Sequence, residues 1–356
     1  MEEQYIDIKS RMYSYDNASE IEGVFGGHLD KRAVRIDDNT DAFNRRQQRT
    51  EKTIKKTLKD SFIFGGLFRS LMGKNNSYFT YMNSSFEGKK KSEMHIPRFI
   101  SCFVKSARGN EYSERKVKAC FSECVGSRLA NLLGVKTVYN LALQTAEPNE
   151  RADEYPEYDT ILSVDYVPYG YTTETFEDLD IKFNEDTSLE RIFNIIDMRF
   201  KHIAREYRLE RSIDKLATLK REFAFQFLFR ALVCEDYDFC SQNTALLIGK
   251  NGDFQLAPAF DMEFVFAGQK SALYYKKFAT ETISFMLKVM PDVLMEFMAK
   301  YGNAVKSGQM EDIVHNTLKL KYHISGPIAE RLTNNYERMS DIITMCQKNP
   351  EMLDEQ

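Results

Sequence analysis

The segment CEDYDFCSQNTALLI, from Cys234 to Ile248, sets a carboxylate and an amide five residues apart, Asp238 and Asn243, between an apolar run and a strand-like one. Eighteen residues past Asn243, LAPAFDMEF supplies a later carboxylate, Asp261. Hard oxygen donors of this kind suit a magnesium ion, and a carboxylate held in a loop suits the orientation of a hydroxyl. Together they are parts of phosphoryl transfer from a nucleotide, with Asp238 toward the acceptor hydroxyl and Asn243 and Asp261 on the metal. Such chemistry also needs a cation on the phosphates. Lys105 ends the run FISCFVK, and Glu123, on the helical segment that follows, is available to pair with it. The same residues have a plain structural use as well. Asp238 can make a turn, Asn243 can cap a bend, Asp261 can cap a helix and Lys105 can sit solvated at a strand end.

Definite elements must position those side chains. Tyr78–Met82 and Ile96–Lys105 are aromatic or branched and read as strands, with the polar FEGKKKSE between them. From about 116 to 133, Val117, Cys120, Phe121, Cys124, Leu129, Leu132 and Leu133 recur at helical spacing, and Gly134 stops the helix. Strand-like runs return at Thr137–Leu143 and Ile161–Val167, separated by the charged AEPNERADEYPEYD, which belongs on the surface. Pro168 and Gly170 then punctuate the chain. Beyond about Tyr171 the pattern is mostly helical, over 188–207, 213–234, 280–289, 291–301, 309–322 and 327–347. A hairpin of Thr244–Ile248 and Phe254–Leu256, joined by GKNGD, interrupts it. The first 60 residues are polar. Only Asp41–Lys59 has helical character there, with NRRQQRTEKTIKK as a basic face read as solvated. The layout predicts an α+β, bilobal, protein-kinase-like fold: a charged N-terminal extension (1–60), a β-rich N-lobe (61–168), a helical C-lobe with the catalytic loop (169–348) and a tail (349–356).

On these residues the chain resembles the HipA-like serine/threonine kinases, from about Phe99 to Phe266. FVKS is similar to the family's nucleotide-binding lysine strand, and ECVGSRLANLLGV to its glutamate-led helix. ILSVDYV is similar to the strand and hinge that hold adenine through backbone groups, which implies Asp165, Tyr166 and Val167 as nucleotide contacts. FLFRALVCEDYDFCSQNTALLI and LAPAFDM resemble the catalytic loop and the metal-binding segment. The resemblance implies ATP and Mg2+ as cofactors and a protein serine or threonine as acceptor. It makes Asp238 the catalytic aspartate, Asn243 and Asp261 the metal ligands, and Lys105 the phosphate cation braced by Glu123. Many members pair with a DNA-binding antitoxin, so an antitoxin-like partner is expected too. The chain departs from the family at Cys240, where histidine is usual, and at Gln242, where lysine is common. GGLFRSLMGKNNS at Gly65–Ser77 is only a loose counterpart of a glycine-rich phosphate loop. A kinase acting on a lipid or small-molecule hydroxyl, and a pseudokinase or nucleotide-binding scaffold, are therefore the alternatives.

Composition narrows the classes further. With 356 residues, 43% of them hydrophobic, the chain can fill a sizeable core, and 26 Phe against no Trp make that core phenylalanine-rich. A formal charge of -4 gives no global field toward nucleic acid or anionic membranes, and direct nucleic-acid binding is not expected. The longest apolar stretch, Phe223–Cys234, is broken by Gln226 and Arg230 and falls short of the roughly 20 residues a bilayer span needs. A start that is charged from its second residue predicts a cytoplasmic setting, and the six cysteines, lacking any CxxC pair, are expected as free thiols.

Overall fold

Branched and aromatic side chains dominate FISCFVKS and TILSV, and such residues favour a pleated backbone. Both are strands in the computed structural model, which describes residues 18–21, 30–37, 99–106, 114–138, 140–143, 160–164, 166–167, 171–209, 212–249, 252–263, 265–266, 271–317 and 322–349. The strands β1 (Ala18–Ile21), β2 (Asp30–Asp37), β3 (Phe99–Ser106), β4 (Asn140–Leu143) and β5 (Thr160–Val164) form an antiparallel sheet in the order β1-β2-β3-β5-β4. In this register Lys105 of β3 stands opposite Ile161 of β5 and Lys31 of β2. Two strands thus come from the charged first 60 residues. In KRAVRID, Val34 and Ile36 alternate with charged neighbours, the period of a strand, and they face Cys102 and Ile100 of β3 in register. The expected helix at 41–59, the strand at Tyr78–Met82 and the loop Gly65–Ser77 lie outside the described residues.

Helix α1 (Glu114–Leu132) follows β3. It ends as GVK predicts: Gly134 takes φ +84°, its N–H donates to the Asn131 carbonyl, and the Val135 N–H donates to Ala130. That pair of bonds is a Schellman stop, which needs a residue tolerant of the left-handed region. Just beyond, Thr137 makes a parallel bridge to Ala259, so the end of α1 is tied to the chain immediately before Asp261.

The second half carries α2 (Leu189–Glu206), α3 (Ser212–Phe227), α4 (Ala272–Val289), α5 (Pro291–Lys306), α6 (Gln309–Asn316) and α7 (Tyr322–Lys348). Leu189, Ile192, Phe193, Ile196, Phe200 and Ile203 of α2 are buried at helical spacing, and Ser188 caps its start by accepting from the Arg191 N–H. A small antiparallel sheet of β6 (Tyr171–Thr175), β7 (Ala245–Gly249) and β8 (Phe254–Leu256) is ordered β6-β7-β8. β6 replaces the helical pattern expected beyond Tyr171. YTTET is polar, and its strand form follows from pairing with β7, every residue of which is buried. Helix α4 starts earlier than its periodicity suggests, because Ser271 caps it, and α7 runs through Pro327 rather than starting there. Among the described residues, no helix is long and apolar enough to cross a membrane. Among the described residues the architecture is mixed α+β, two antiparallel sheets with a helical region.

Candidate functional site

The catalytic-loop candidate is built from its helix outward. FAFQFLFRALV is apolar enough to be buried on all sides, and after Phe227 the helix widens into a π segment over Leu228–Val233, closed by the Cys234 N–H donating to the Phe229 carbonyl. Such widened turns break the regular ladder and recur at functional sites. Here the turn carries a fully buried charge, Arg230. The next residues leave the helix through Glu235, at φ +51°, whose carboxylate and the Val233 carbonyl both accept from Asn335 Nδ2 at 3.2 Å. Phe239 then turns inward and is buried. Its ring meets Phe183 edge-on at 5.3 Å, Phe227 at 5.7 Å and Phe223 in a stack at 6.1 Å. One aromatic anchor thus fixes the loop between Asp238 and Cys240.

Around that anchor the polar groups converge. Asn243 Nδ2 donates to the Asp238 carboxylate at 2.8 Å and to the Asp238 carbonyl at 2.9 Å. The Asp238 N–H donates to Asp236 Oδ1 at 3.1 Å, and the other oxygen of Asp236 accepts from Arg230 Nε at 2.6 Å. Arg230 Nη1 donates to the carbonyls of Asn243 at 3.0 Å and Phe260 at 3.2 Å, and Nη2 to the carbonyl of Asp261 at 3.2 Å. Its guanidinium also lies 4.9 Å over the Phe239 ring. One side chain therefore ties the loop to the segment carrying Asp261.

That segment is held from two other sides. The Ala259 N–H donates to Lys136 at 2.8 Å and the Val138 N–H to the Ala259 carbonyl at 3.0 Å, while Gln226 Nε2 donates to Ala257 at 2.8 Å. Asp261 itself sits at φ +54°, a conformation that aspartate tolerates better than most residues. Oxygens of Asp261, Glu263 and Glu123 all lie within 4.8 Å of one another, with Glu123 of α1 and Glu263 both buried. The sequence-predicted Glu123 and Asp261 are thus brought together, joined by a carboxylate the sequence pattern leaves unassigned.

The donor set is hard and all oxygen, which suits magnesium rather than a soft metal. Asn243 fits the part, since its NH2 is spent on Asp238 and its Oδ1 remains as an acceptor. Burial, and next the neighbouring Asp236, push the Asp238 carboxyl above the usual carboxylate range, with the Asn243 hydrogen bond opposing and Asp261 adding a smaller upward push. Burial likewise raises the Cys240 thiol, so it is protonated at neutral pH. The arrangement can hold a divalent cation near a half-buried carboxylate.

Lys105 lies one residue from the end of β3, in the strand paired to β5. Asp165 lies outside the described residues. Tyr166 and Val167 pack on Ala245, Leu247 and Ala257, and the Tyr166 ring stacks on Phe260 at 5.4 Å, one residue before Asp261. The expected hinge and the segment carrying Asp261 are therefore neighbours.

No family model matches the chain, and no curated protein matches it. Among solved structures it is similar to a Helicobacter pylori proinflammatory kinase, CtkA. The identity is 18% and the TM-score 0.48, over 70% of this chain and 89% of that one.

Three residues of the site escape the sequence pattern. Arg230 shows there only as a charge interrupting an apolar run, and its partners lie 6, 13, 30 and 31 residues away along the chain. Asp236 reads as one acid among several in CEDYD. Glu263 stands two residues past Asp261 with nothing local to single it out. A lone arginine in a run bound for the core, followed by an acidic loop, is the signal that points to the first two.

Proposed function

We propose that this chain is a HipA-like kinase that transfers the γ-phosphoryl group of ATP to a serine or threonine hydroxyl of a protein, in a bilobal kinase-like fold. The observation that carries this is the joining of Asp238, Asn243 and Asp261: the first two share a hydrogen bond, and Arg230 bonds the backbone of the third. Asp238 orients the acceptor hydroxyl and takes up its proton late, a role that the raised affinity of its carboxyl for protons supports. Asn243 and Asp261 hold magnesium, which when bound neutralises phosphate charge. Lys105 binds phosphate oxygens with Glu123 behind it, and the backbone of 165–167 receives adenine over the apolar floor of Ala245, Leu247 and Ala257. Phosphoryl transfer asks mostly for positioning and charge neutralisation, which this cluster of fixed groups supplies.

The test is single-turnover transfer from MgATP to a generic protein acceptor or to the chain itself, with the modified residues read by mass spectrometry. Phosphoserine or phosphothreonine is expected, and Asp238→Ala lowers the rate by roughly 10²- to 10⁴-fold while ATP binding persists. Wild-type turnover in Asp238→Ala removes Asp238 from the chemistry. Phosphate found only on added lipids or small molecules changes the acceptor class.

A further inference from the structure

A buried arginine paired to a buried aspartate contributes little net stability, because desolvation of both charges offsets their attraction. Arg230 and Asp236 are such a pair, with both side chains fully buried. An apolar pair would fill the same space. What an apolar pair lacks is the fork. Among the described residues, three of the four hydrogen bonds of Arg230 go to main-chain carbonyls, and two of those carbonyls belong to Asn243 and Asp261, the residues placed on the metal. The third belongs to Phe260, which carries the stacked Tyr166. On the anionic side, Asp236 passes the constraint to the Asp238 N–H.

No continuous strand or helix joins the two ligand-bearing segments. Asn243 ends a short 3-10 turn after the loop, and Asp261 lies beyond the hairpin of β7 and β8 in a left-handed conformation. A planar guanidinium reaching both backbones fixes their separation as an ammonium cannot, since its donors diverge in one rigid plane. Phe239 under the guanidinium holds that plane in place.

We propose that Arg230 is the positioning residue that sets the spacing of Asn243 and Asp261, so that affinity for magnesium, and not the fold or metal-free nucleotide binding, depends on its fork. This rests on the kinase reading above. Arg230→Lys is the informative variant. It keeps a cation for Asp236 and gives up the span across the carbonyls.

The experiment titrates magnesium into the purified chain with a fluorescent ATP analogue, beside binding of the same analogue in EDTA and a melting curve. Arg230→Lys is expected to melt cooperatively, to bind the analogue in EDTA as wild type does, and to need roughly tenfold more magnesium or above for half-saturation. A wild-type magnesium requirement overturns the proposal, as does a parallel loss of binding in EDTA, which marks a merely structural role. If Arg230→Lys does not fold, Asp236→Asn takes its place. It keeps one acceptor oxygen and turns the other into an NH2 donor, so one of the bonds to Arg230 Nε and the Asp238 N–H is lost and the guanidinium is slackened. The same rise in magnesium requirement is expected, and an unchanged requirement again overturns the proposal. Absence of magnesium-dependent binding in wild type overturns the kinase reading itself.

Discussion

At Gly126 α1 closely approaches the chain just after Asp261, at Met262 and Val265, and filling it with a methyl group tests how closely the two must approach. A Cβ built there lies 3.0 Å from Val265 Cγ2 and 3.6 Å from Met262 Cβ. Relaxed carbon contacts begin at about 3.5 Å, so Gly126→Ala makes the Val265 side chain, or the approach of α1 to it, give by roughly a few tenths of an ångström. Two stability terms oppose each other. Alanine in a helix interior gains about 1 kcal/mol over glycine, and overpacking costs about 1–3 kcal/mol, so the net loss lies between about 0 and 2 kcal/mol. The melting temperature therefore falls by no more than several degrees. The chemical effect is larger. Glu123 rides on the same helix one turn earlier, and Asp261 adjoins Met262, so the gap spreads the carboxylates that now lie within 4.8 Å. A misplacement of about 1 Å costs up to 10²-fold in rate, and a few tenths of that predicts roughly a two- to sixfold loss of phosphoryl transfer. Single-turnover transfer and differential scanning fluorimetry on the same preparation measure both terms. Wild-type transfer in a Gly126→Ala protein would falsify the claim that this contact sets the spacing of Glu123, Asp261 and Glu263.

Three further outcomes are expected. Because burial and Asp236 raise the folded-state pKa of Asp238 above its unfolded value, its stabilising contribution is present at low pH and is lost as pH rises through the folded pKa. Asp238→Asn should thus melt above wild type at pH 7, with the difference shrinking as pH falls into the carboxylate range; a variant less stable at pH 7 contradicts the assignment. Cys240→Ala should cost no more than about tenfold in transfer, about 1.4 kcal/mol, and Cys240→His should be tolerated, because a protonated thiol beside Asp238 braces the loop rather than taking a proton. A loss equal to that of Asp238→Ala refutes the bracing role. Phe239→Ala should lose about 3–5 kcal/mol in chemical denaturation, since its buried ring anchors the loop on three other rings, and a loss under about 1 kcal/mol removes it as the anchor.

Much of the fold was legible because its signals are local. The apolar spacing of α2, the stop at Gly134 and the hairpin of β7 and β8 each depend on residues within one or two turns of one another. β6 was illegible because YTTET becomes a strand only beside β7, a partner about 70 residues away in the chain. β1 and β2 were hidden by charge: KRAVRID lies in the polar first 60 residues, and its alternation stands out only when set against β3. The π segment escapes periodicity because six residues are too few to separate its repeat from that of an α-helix. At the site, Asp238 and Asn243 stand out because both lie in one loop, and Asp261 because it follows the hairpin. Arg230 shows only as a charge in an apolar run before an acidic loop, with its partners Phe260 and Asp261 lying 30 and 31 residues on, and nothing beside Glu263 in sequence announces it.

The most direct test of a magnesium-bridged nucleotide site is thermal stabilisation by ATP, compared with and without the metal in wild type and in Asp261→Ala. Ligands that bind only the folded state raise the melting temperature by mass action, by about 2.7 kcal/mol at a hundredfold excess over the dissociation constant. Wild type is expected to be stabilised more by ATP with magnesium than by ATP in EDTA, and Asp261→Ala to lose most of that difference. Equal melting shifts in EDTA and magnesium, or full stabilisation of Asp261→Ala, would contradict the account.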